Sequence, residues 1–426
     1  MSTTATPPID THEESPLAHL SPAQLEELGR EFDTIRDRVQ GELGDRDRRY
    51  IESMIEMQRR LAVIGRVGLL LPRFPPLALG GAAALSAAKI LENMEIGHNV
   101  MHGQWDWMND PRIHSSTWDW DTASTAEAWK HSHNYVHHTF TNIRGKDKDL
   151  GYEIMRIDPH QSWHPVYLLQ PLYNLVLAGL FEWGVAVHDL DFEAIRTGKK
   201  STGQLKHELK GIGGKARDQV VKDYLAWPLV SALASAALGA AQEASKPEPK
   251  RAGLRRGSHR RGRGRVGRIA SRALADGSQA FRRTAAANAG ANVVRNVWSY
   301  AIIFCGHFPD QTYTYAPEEV EQESRGGWYV RQLTGAANIE GSPLFHVASG
   351  NLGYQVEHHL FPDMPSSRYA EIAPQVKDIC ARYGLPYNTG PFSQQLGMVQ
   401  RTILRLAFPG GKPRPKPGPY RPGVKR

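Results

Sequence analysis

Histidine carries the main chemical signal of this 426-residue chain, because eight of its eighteen histidines fall into tight spacings or end an apolar run. Residues 95–102 hold two imidazoles four positions apart, His98 and His102. On a helix this spacing places both side chains on one face, within reach of one metal ion. The same spacing is also typical of an ordinary helical pair, and the segment lacks the glutamate of an H-E-x-x-H zinc-protease motif.

The other clusters are denser. Residues 131–138 (HSHNYVHH) place His133 four positions before His137 and five before His138, so the adjacent pair can point to different metals. Residues 355–359 (QVEHH) repeat the adjacent pair as His358 and His359. His307 lies near the end of the apolar segment 292–308, and an ionisable group at the end of a membrane helix indicates a functional role.

The number of imidazoles indicates two metals. Neutral nitrogen ligands suit iron, copper, nickel and zinc, but a single four-coordinate zinc needs only four of them. Two redox metals can share the electrons that activate dioxygen, and the resulting oxidant can remove hydrogen from an unactivated methylene group, which zinc cannot do. Carboxylate-rich di-iron enzymes instead use Glu and Glu-x-x-His on bundle helices, and no such pair of motifs is evident in the sequence.

The elements that position these residues are apolar segments, although 40% hydrophobic content and a mean hydropathy of -0.47 resemble a soluble protein. Segment 61–96 is broken by prolines at 72–76 and predicts one kinked membrane span or a short hairpin. Segment 166–188 carries Glu182 and His188, which predicts a crossing, an interfacial helix or a protein-lined cavity. Segments 224–241 and 292–308 are the other candidate spans, and buried core helices are the alternative for all four.

In order along the chain, HNVMH, HNYVHH and QVEHH look like the three histidine boxes of membrane fatty acid desaturases. Residues 96–110, 129–152, 302–310 and 350–363 resemble the bacterial acyl-lipid and linoleoyl-CoA desaturase-like branch, and the resemblance extends over about residues 50–395. It implies an all-α integral membrane protein with about four transmembrane helices and a cytosolic helical cap holding a histidine-rich di-iron site. It also implies an oxygen-dependent enzyme that introduces a cis double bond into an acyl chain.

Carried onto this chain, the resemblance implies two iron ions, with O2 as co-substrate. Gln355 stands where many relatives have a histidine, and is expected to bind iron weakly or through water. Asp147 and Asp149 follow the second box; they either accept hydrogen bonds from metal-bound imidazoles, which usually donate to carboxylates, or are solvated loop acids. His131 and His346 lie off the box spacing and are left out of the ligand set. The implied iron ligands are His98, His102, His133, His137, His138, His307, His358 and His359.

The resemblance also implies the partners. The expected substrate is an acyl-CoA, an acyl-lipid or an acyl-carrier conjugate in contact with membrane lipid. The sequence has no haem-binding His-Pro-Gly-Gly motif, so electrons are expected from a separate ferredoxin-, rubredoxin- or cytochrome-type donor. The implied location is the bacterial inner (plasma) membrane, with the active site facing the cytosol. The nearer alternative is a related di-iron membrane hydroxylase acting on a lipid or hydrocarbon, and the more distant one is a non-catalytic membrane protein with structural zinc.

The predicted boundaries are a polar N-terminal tail over 1–45, a desaturase domain over 46–395 and a basic Pro/Gly-rich tail over 396–426. Within the domain, residues 246–283 hold thirteen Lys/Arg against two acidic residues, a surplus that exceeds the net charge of +8 of the whole chain. We expect an atypical, disordered basic insertion over 243–284, either genuine and bound to anionic headgroups or a sequence error. Its core has no aromatic residues to stack on bases, so no nucleic-acid partner is predicted.

Tryptophans crowd around the first two boxes. They could line an acyl tunnel, but anchoring at a membrane interface is the commoner use of tryptophan and is the interpretation that we favour from sequence. The residues are Trp105, Trp107, Trp118, Trp120 and Trp129.

Overall fold

The computed structural model describes residues 15–247, 258–410 and 415–423, and helices make up most of this part of the chain. Helix α1 (Pro22–Gly41) begins at Ser21, whose side chain accepts a hydrogen bond from the backbone N–H of Gln24. Leu28 and Phe32 of this helix are fully buried. The predicted N-terminal tail is therefore helical at α1, and this helix belongs to the folded part because it supplies apolar side chains to a core.

Helices α2 (Asp45–Gly68) and α3 (Pro75–Leu91) form a hairpin that turns at the proline-rich segment, so the first apolar segment is a short hairpin rather than one kinked span. Glycines allow the two helices to approach closely. A Cβ atom at Gly65 would lie 2.9 Å from the backbone nitrogen of Leu85, and one at Gly81 would lie 3.0 Å from the carbonyl oxygen of Gly65.

The first two histidine boxes continue from helices. Helix α3 passes directly into a π-helical segment, Glu92–His98, and then into α4 (Asn99–Met101). Helix α5 (Ala126–Trp129) passes in the same way into the π-helical segment Lys130–His137 and α6 (His138–Phe140). The next helices are α7 (Gln170–Gly179), α8 (Phe181–His188) and α9 (Phe192–Arg196).

A long continuous helix follows, composed of α10 (Thr202–Val220), the π-helical segment Val221–Ala226 and α11 (Trp227–Ala244). Among the described residues, this is the one helix that is long and apolar enough to cross a membrane by length and composition. The architecture with about four spans therefore stays a prediction.

Helix α12 (Ser258–His307) packs against α11 and α3. The disorder predicted over 243–284 is therefore wrong for the residues of this stretch that the structure describes, while 248–257 lie outside the described residues. The helix forms because small residues face α11: a Cβ atom at Gly277 would lie 3.1 Å from the carbonyl oxygen of Ala232. Ion pairs also offset its charge, since Asp276 lies 2.9 Å from Arg272 and 3.4 Å from Arg73.

The remaining helices form a cap over the boxes. Two three-residue strands, β1 (Asn338–Glu340) and β2 (Thr389–Pro391), pair in parallel with Asn338 opposite Thr389. A buried cluster that includes Phe32, Tyr329 and Tyr369 joins α1 to the cap. The cap helices are α13 (Arg325–Thr334), α14 (Pro343–Ala348), α15 (Gln355–Leu360), α16 (Tyr369–Arg382) and α17 (Phe392–Leu406).

Short 3-10 turns lie along the whole chain, at Asp106–Met108, Leu150–Glu153, Pro165–Leu169, Pro317–Val320, Leu352–Tyr354 and Ser366–Arg368.

Helix α17 also corrects the predicted C-terminal boundary at residue 396. Val399 and Ile403 are buried within a core that includes residues of α12, so the folded part extends through this helix. The polar tail begins after it.

The close approach of α2 and α3 yields a test with a matched control. We expect Gly81→Leu to lower stability by about 1–3 kcal/mol, because the added side chain overpacks the helix contact. Gly80→Leu gains the same helix propensity, but at Gly80 no described atom lies within 4 Å of the added Cβ. Thermal unfolding of the purified protein in detergent measures both, and equal unfolding midpoints would contradict the packing argument.

Candidate metal centre

Both of the first two histidine boxes lie where an α-helix changes to π-helical geometry and back. Single π turns inside helices are rare and occur mostly at functional sites. Here they carry His98 at the end of one segment and His133 and His137 within the other. The imidazole rings of His98 and His102 lie 4.6 Å apart, so the i, i+4 spacing brings the pair together as the sequence predicts.

Four histidines from three separate boxes form the first group. Their ligand nitrogens all lie within 4.8 Å of one another. The ring centroids of His102 and His358 are 4.7 Å apart although the residues are far apart in sequence. The group is His98, His102, His133 and His358.

His137, His307 and His359 form the second group, by the same 4.8 Å criterion. The His307 ring lies 4.7 Å from that of His137 and 4.8 Å from that of His359. The last residue of α12 therefore lies in the cluster, as the sequence predicts. Gln355 adjoins this group, with its side-chain nitrogen 3.0 Å from Nε2 of His307.

His138 lies between the two groups. Its ring is 4.7 Å from the ring of His102 and stacks at 4.5 Å on that of His359. The structure thus brings all eight predicted histidines and Gln355 into one cluster.

The cluster passes a chemical test for a metal site. Buried polar atoms are normally hydrogen-bonded, because leaving one unpaired costs free energy. Several nitrogens of the cluster have no hydrogen-bond partner among the residues that the structure describes, and a metal ion could take up one nitrogen of a ring. These atoms are Nε2 of His102, His133, His137 and His358, Nδ1 of His307 and both ring nitrogens of His138, together with Oε1 of Gln355.

The two predicted aspartates contact the second box. Nδ1 of His137 lies 3.0 Å from Asp147, and Nδ1 of His133 lies 3.3 Å from Asp149. The other carboxylate oxygen of Asp149 accepts a hydrogen bond from Nε2 of His188 at 3.1 Å. Such partners fix the orientation of an imidazole, so that its other nitrogen faces the metal.

Three further outer partners were not predicted from the sequence. One follows its histidine directly, and the other two are supplied by the cap helices α13 and α16, where no local spacing could indicate them. The pairs are His98 with Asn99 at 3.0 Å, His358 with Tyr369 at 3.1 Å and His359 with Gln332 at 3.0 Å.

Burial and neighbouring charges set the protonation of the cluster. Burial lowers the pKa of His358 and His359 well below its usual range, and charge on adjacent imidazoles would lower it further. At His137 burial also acts to lower the pKa, but the carboxylates of Asp147 and Asp149 outweigh it and raise the pKa to about 9. Because a metal-bound imidazole nitrogen must be deprotonated, a metal at His137 has to displace a proton, whereas His358 and His359 are already neutral.

A narrow cavity of about 60 Å³ adjoins the histidines. Its wall includes His98, His133 and His307, and much of the remaining lining is apolar. The apolar and aromatic lining residues are Met94, Trp120, Trp129, Tyr152, Phe181, Val185, Ile303 and Leu352.

The tryptophan prediction is wrong for the buried members of the set. Trp129 stacks on the ring of His133 at 4.5 Å and lines the cavity together with Trp120, while Trp105 is fully buried in a core. Trp105 packs with Ile51 and Ile96, and Trp120 and Trp129 pack with Met101.

His131 and His346 lie outside the cluster. His131 is exposed and stacks on Tyr135, and His346 stacks on Tyr354 at 4.3 Å. Leaving both out of the ligand set agrees with these positions.

Comparison with known proteins defines the class. The family model for fatty acid desaturases matches residues 280–391, which contain His307 and the third box. Together with a relative that is similar over most of the chain, this places the protein in the fatty acid desaturase family, and it is an oxidoreductase of that kind.

That relative is the NADPH-dependent stearoyl-CoA 9-desaturase of Mycobacterium tuberculosis, which is 42% identical over 393 residues, covering 92% of this chain and 82% of the relative. Shorter matches include fatty acid desaturase 3 of Homo sapiens, 39% identical over 91 residues (21% of this chain and 20% of that protein). Acyl-lipid (9-3)-desaturase of Borago officinalis is 34% identical over 113 residues, covering 26% of this chain and 24% of that protein. No solved structure matches the chain.

His358 and His131 form a matched pair for testing the cluster. His358→Ala removes a nitrogen from the first group, so we expect loss of metal and of desaturated product. His131→Ala alters an exposed imidazole outside the cluster, and we expect it to retain both. Elemental analysis of purified protein and fatty acid profiling of the expression host measure the two effects. Full metal content and activity in His358→Ala would show that the cluster is not the active centre.

Asp147 tests the outer partners. Asp147→Asn keeps the shape of the side chain but weakens its bond to His137, and the expected cost is about 10–100-fold in metal affinity or activity. The control is Asp119→Asn, which removes a carboxylate from an exposed ion pair with Lys215. Metal titration of both proteins and turnover assays provide the comparison, and equal values for the two variants would mean that Asp147 is only a loop acid.

Proposed function

We propose that this desaturase binds two iron ions through its eight clustered histidines and uses O2 to introduce a cis double bond into an acyl chain. The observation that carries the proposal is the pair of adjacent histidine groups beside a largely apolar cavity, with several ring nitrogens that have no hydrogen-bond partner among the described residues. When bound, iron would supply the oxygen chemistry that removes two hydrogens from neighbouring methylene groups. The overall reaction consumes O2, two electrons and two protons, and yields the alkene and two molecules of water.

The protein's own residues have separate tasks in this proposal. The first group would hold one iron and the second group the other, with His138 between them. Gln355 adjoins the second group as a weak or water-mediated ligand, since its Oε1 atom lacks a partner among the described residues. Asp147 and Asp149 hold the rings of His137 and His133 in position.

The cavity is the proposed acyl site. Met94, Phe181, Val185 and Ile303 offer apolar contacts next to the histidines, and burying methylene groups against them is favourable. The same walls exclude bulk water from the reacting carbons. The mycobacterial relative is a stearoyl-CoA desaturase, which favours an acyl-CoA among the acyl carriers.

Electrons are proposed to come from a separate ferredoxin-, rubredoxin- or cytochrome-type protein. The relative is NADPH-dependent, and residues 262–267 of this chain spell G-x-G-x-x-G. In dinucleotide-binding folds this motif joins a strand to the start of a helix. Here it lies inside helix α12, so it does not support direct binding of NADPH.

A membrane location is proposed from the outer faces of the helices. Leucines on α11 and on α7 are half or more exposed, with Leu233 at 63% and Leu175 at 68%. Large exposed apolar surfaces mark contact with lipid or with another protein. We propose that these faces lie in the bacterial inner membrane, with the cap and the metal centre on the cytosolic side.

Expression in a desaturase-deficient bacterium tests the function. We expect new monounsaturated fatty acids in the lipids and two irons per purified chain. Mass spectrometry with double-bond localisation measures the product, and the His358→Ala variant is the inactive control. Hydroxylated products without alkenes would favour the hydroxylase instead, and redox-inert zinc without O2 consumption would refute both enzymes.

A further inference from the structure

We infer that the buried ion pair between Arg295 and Glu182 closes the end of the cavity farthest from the histidines and sets the longest acyl segment accepted beyond the reacting carbons. The inference rests on the proposed function, in which the cavity holds an acyl chain next to the metal centre. Both residues line the cavity and both are buried, with Arg295 1% and Glu182 6% exposed.

Helix α12 gives the length of the cavity. Ile303, Ser299, Asn296 and Arg295 line it in succession, starting from His307 at the metal cluster. The twelve residues from His307 back to Arg295 correspond to about 18 Å at the rise of an α-helix. Arg295 is therefore at the end of the cavity that lies away from the metals.

Helix α8 independently indicates which end of the cavity lies away from the metals. His188 at its end hydrogen-bonds to Asp149 beside the second box, and Glu182 lies six residues earlier. That separation is about 9 Å along the helix axis, directed away from the metals. Two helices thus place opposite charges at the same distant end, where the charges meet.

Apolar side chains supply the favourable contacts for an acyl chain. Ile303, Val185, Phe181 and Met94 present apolar surface beside polar groups such as Ser299, and each methylene group buried against them should favour binding by about fourfold. At the wall formed by Arg295 and Glu182 this gain in binding ends, because an alkyl group placed there contacts charged and amide groups. A polar wall therefore gives a sharp limit rather than a gradual decline.

The ion pair between Arg295 and Glu182 cannot be displaced at low cost, because both residues are hydrogen-bonded to neighbouring groups. Gln219 donates to Glu182 at 3.0 Å, and Arg295 donates to the carbonyl oxygen of Asp121 at 2.9 Å. Asn296 accepts from Arg295 at 3.1 Å and donates to the carbonyl oxygen of Gly179 at 3.0 Å, where α7 ends. Displacing one partner would leave a buried charge unpaired, which is strongly unfavourable.

The protein is also polar on the side of the Arg295–Glu182 pair that faces away from the cavity. Lys89 lies between Asp121 and Asp223, at 3.4 Å and 2.9 Å, and Arg66 contacts Asp223 at 2.7 Å. The cavity therefore has no apolar space to extend into while the ion pair is present.

The test replaces both charges together, since removing one alone would leave the other unpaired. In Arg295→Ala/Glu182→Ala, which removes both charges and frees the space of both side chains, we expect the longest acceptable substrate to lengthen by at least one two-carbon step. For that substrate kcat/KM should rise about sixteenfold relative to a short one, from about fourfold for each of two buried methylene groups. Activity is measured on the detergent-purified enzyme with a homologous series of saturated acyl-CoAs, after metal content and unfolding temperature have been checked.

Three comparisons make the result decisive. Arg73→Ala/Asp276→Ala removes another ion pair made by α12 whose residues do not line the cavity, and should leave the chain-length limit unchanged. Arg295→Lys keeps the charge and should also keep the limit. Ile303→Phe fills the cavity between histidines and wall, so it should shorten the longest substrate even if the double variant does not fold.

An unchanged chain-length limit in a folded, metal-loaded double variant would overturn the inference. An equal loss of turnover at every chain length would also overturn it, since that result assigns the pair to proton delivery or to structure. Failure of the wild-type enzyme to make any alkene would instead refute the proposed function, so the two failures are distinguishable.

Discussion

The structure depends on one constraint: eight imidazoles must be buried against one another, neutral, with their lone pairs directed to common points. Without metal ions such an arrangement is costly, because buried nitrogens lack partners and any proton on one ring disfavours protons on the others. His137 shows the balance most clearly, since Asp147 and Asp149 raise its pKa to about 9 while burial acts in the opposite direction. Metal binding is therefore expected to release a proton there and to stabilise the whole cluster.

The rest of the fold supplies this arrangement from several directions. Two helices change to π geometry at the boxes, α12 brings His307 to the cluster, and the cap contributes the third box. The cap also fixes ring orientation from outside through Tyr369 and Gln332. Gln332 has two roles, because its amide nitrogen also donates to the carbonyl oxygen of His138. Precise positioning of ligands thus depends on the packing of α1, α13 and α16, which is remote from the metals in sequence.

The histidine boxes could be predicted from the sequence because they are local, whereas the contacts from the cap could not because they arise from tertiary packing. Histidine spacing is local, so seven of the clustered imidazoles stand out from the boxes alone, whereas His307 was predicted from the end of an apolar segment and from the resemblance, and the two aspartates only as one of two alternatives. The fatty acid desaturase family is confirmed. Tyr369 and Gln332 reach their histidines through tertiary packing, which no spacing rule includes. Composition was misleading for α1 and α12, because both helices appear polar or basic although each buries a stripe of apolar or small residues. The tryptophan prediction failed because residue frequencies describe membrane interfaces in general, whereas Trp129 stacks on a box histidine.

Mean hydropathy is a weak guide to which helices of this chain could cross a membrane, because several charged side chains lie in the protein interior. Arg66 and Lys89 point inward, where both pair with Asp223, while large apolar side chains of α3 such as Leu77 and Leu79 face outward. A window average sums both faces, so inward charges cancel outward leucines, and among the described residues only the helix Thr202–Ala244 meets a membrane-span criterion. Charges are tolerable in such an interior when they are paired and hydrogen-bonded. The same polar interior borders the cavity at Arg295, so the feature that hides the helices from a hydropathy scan also forms the boundary of the proposed acyl site.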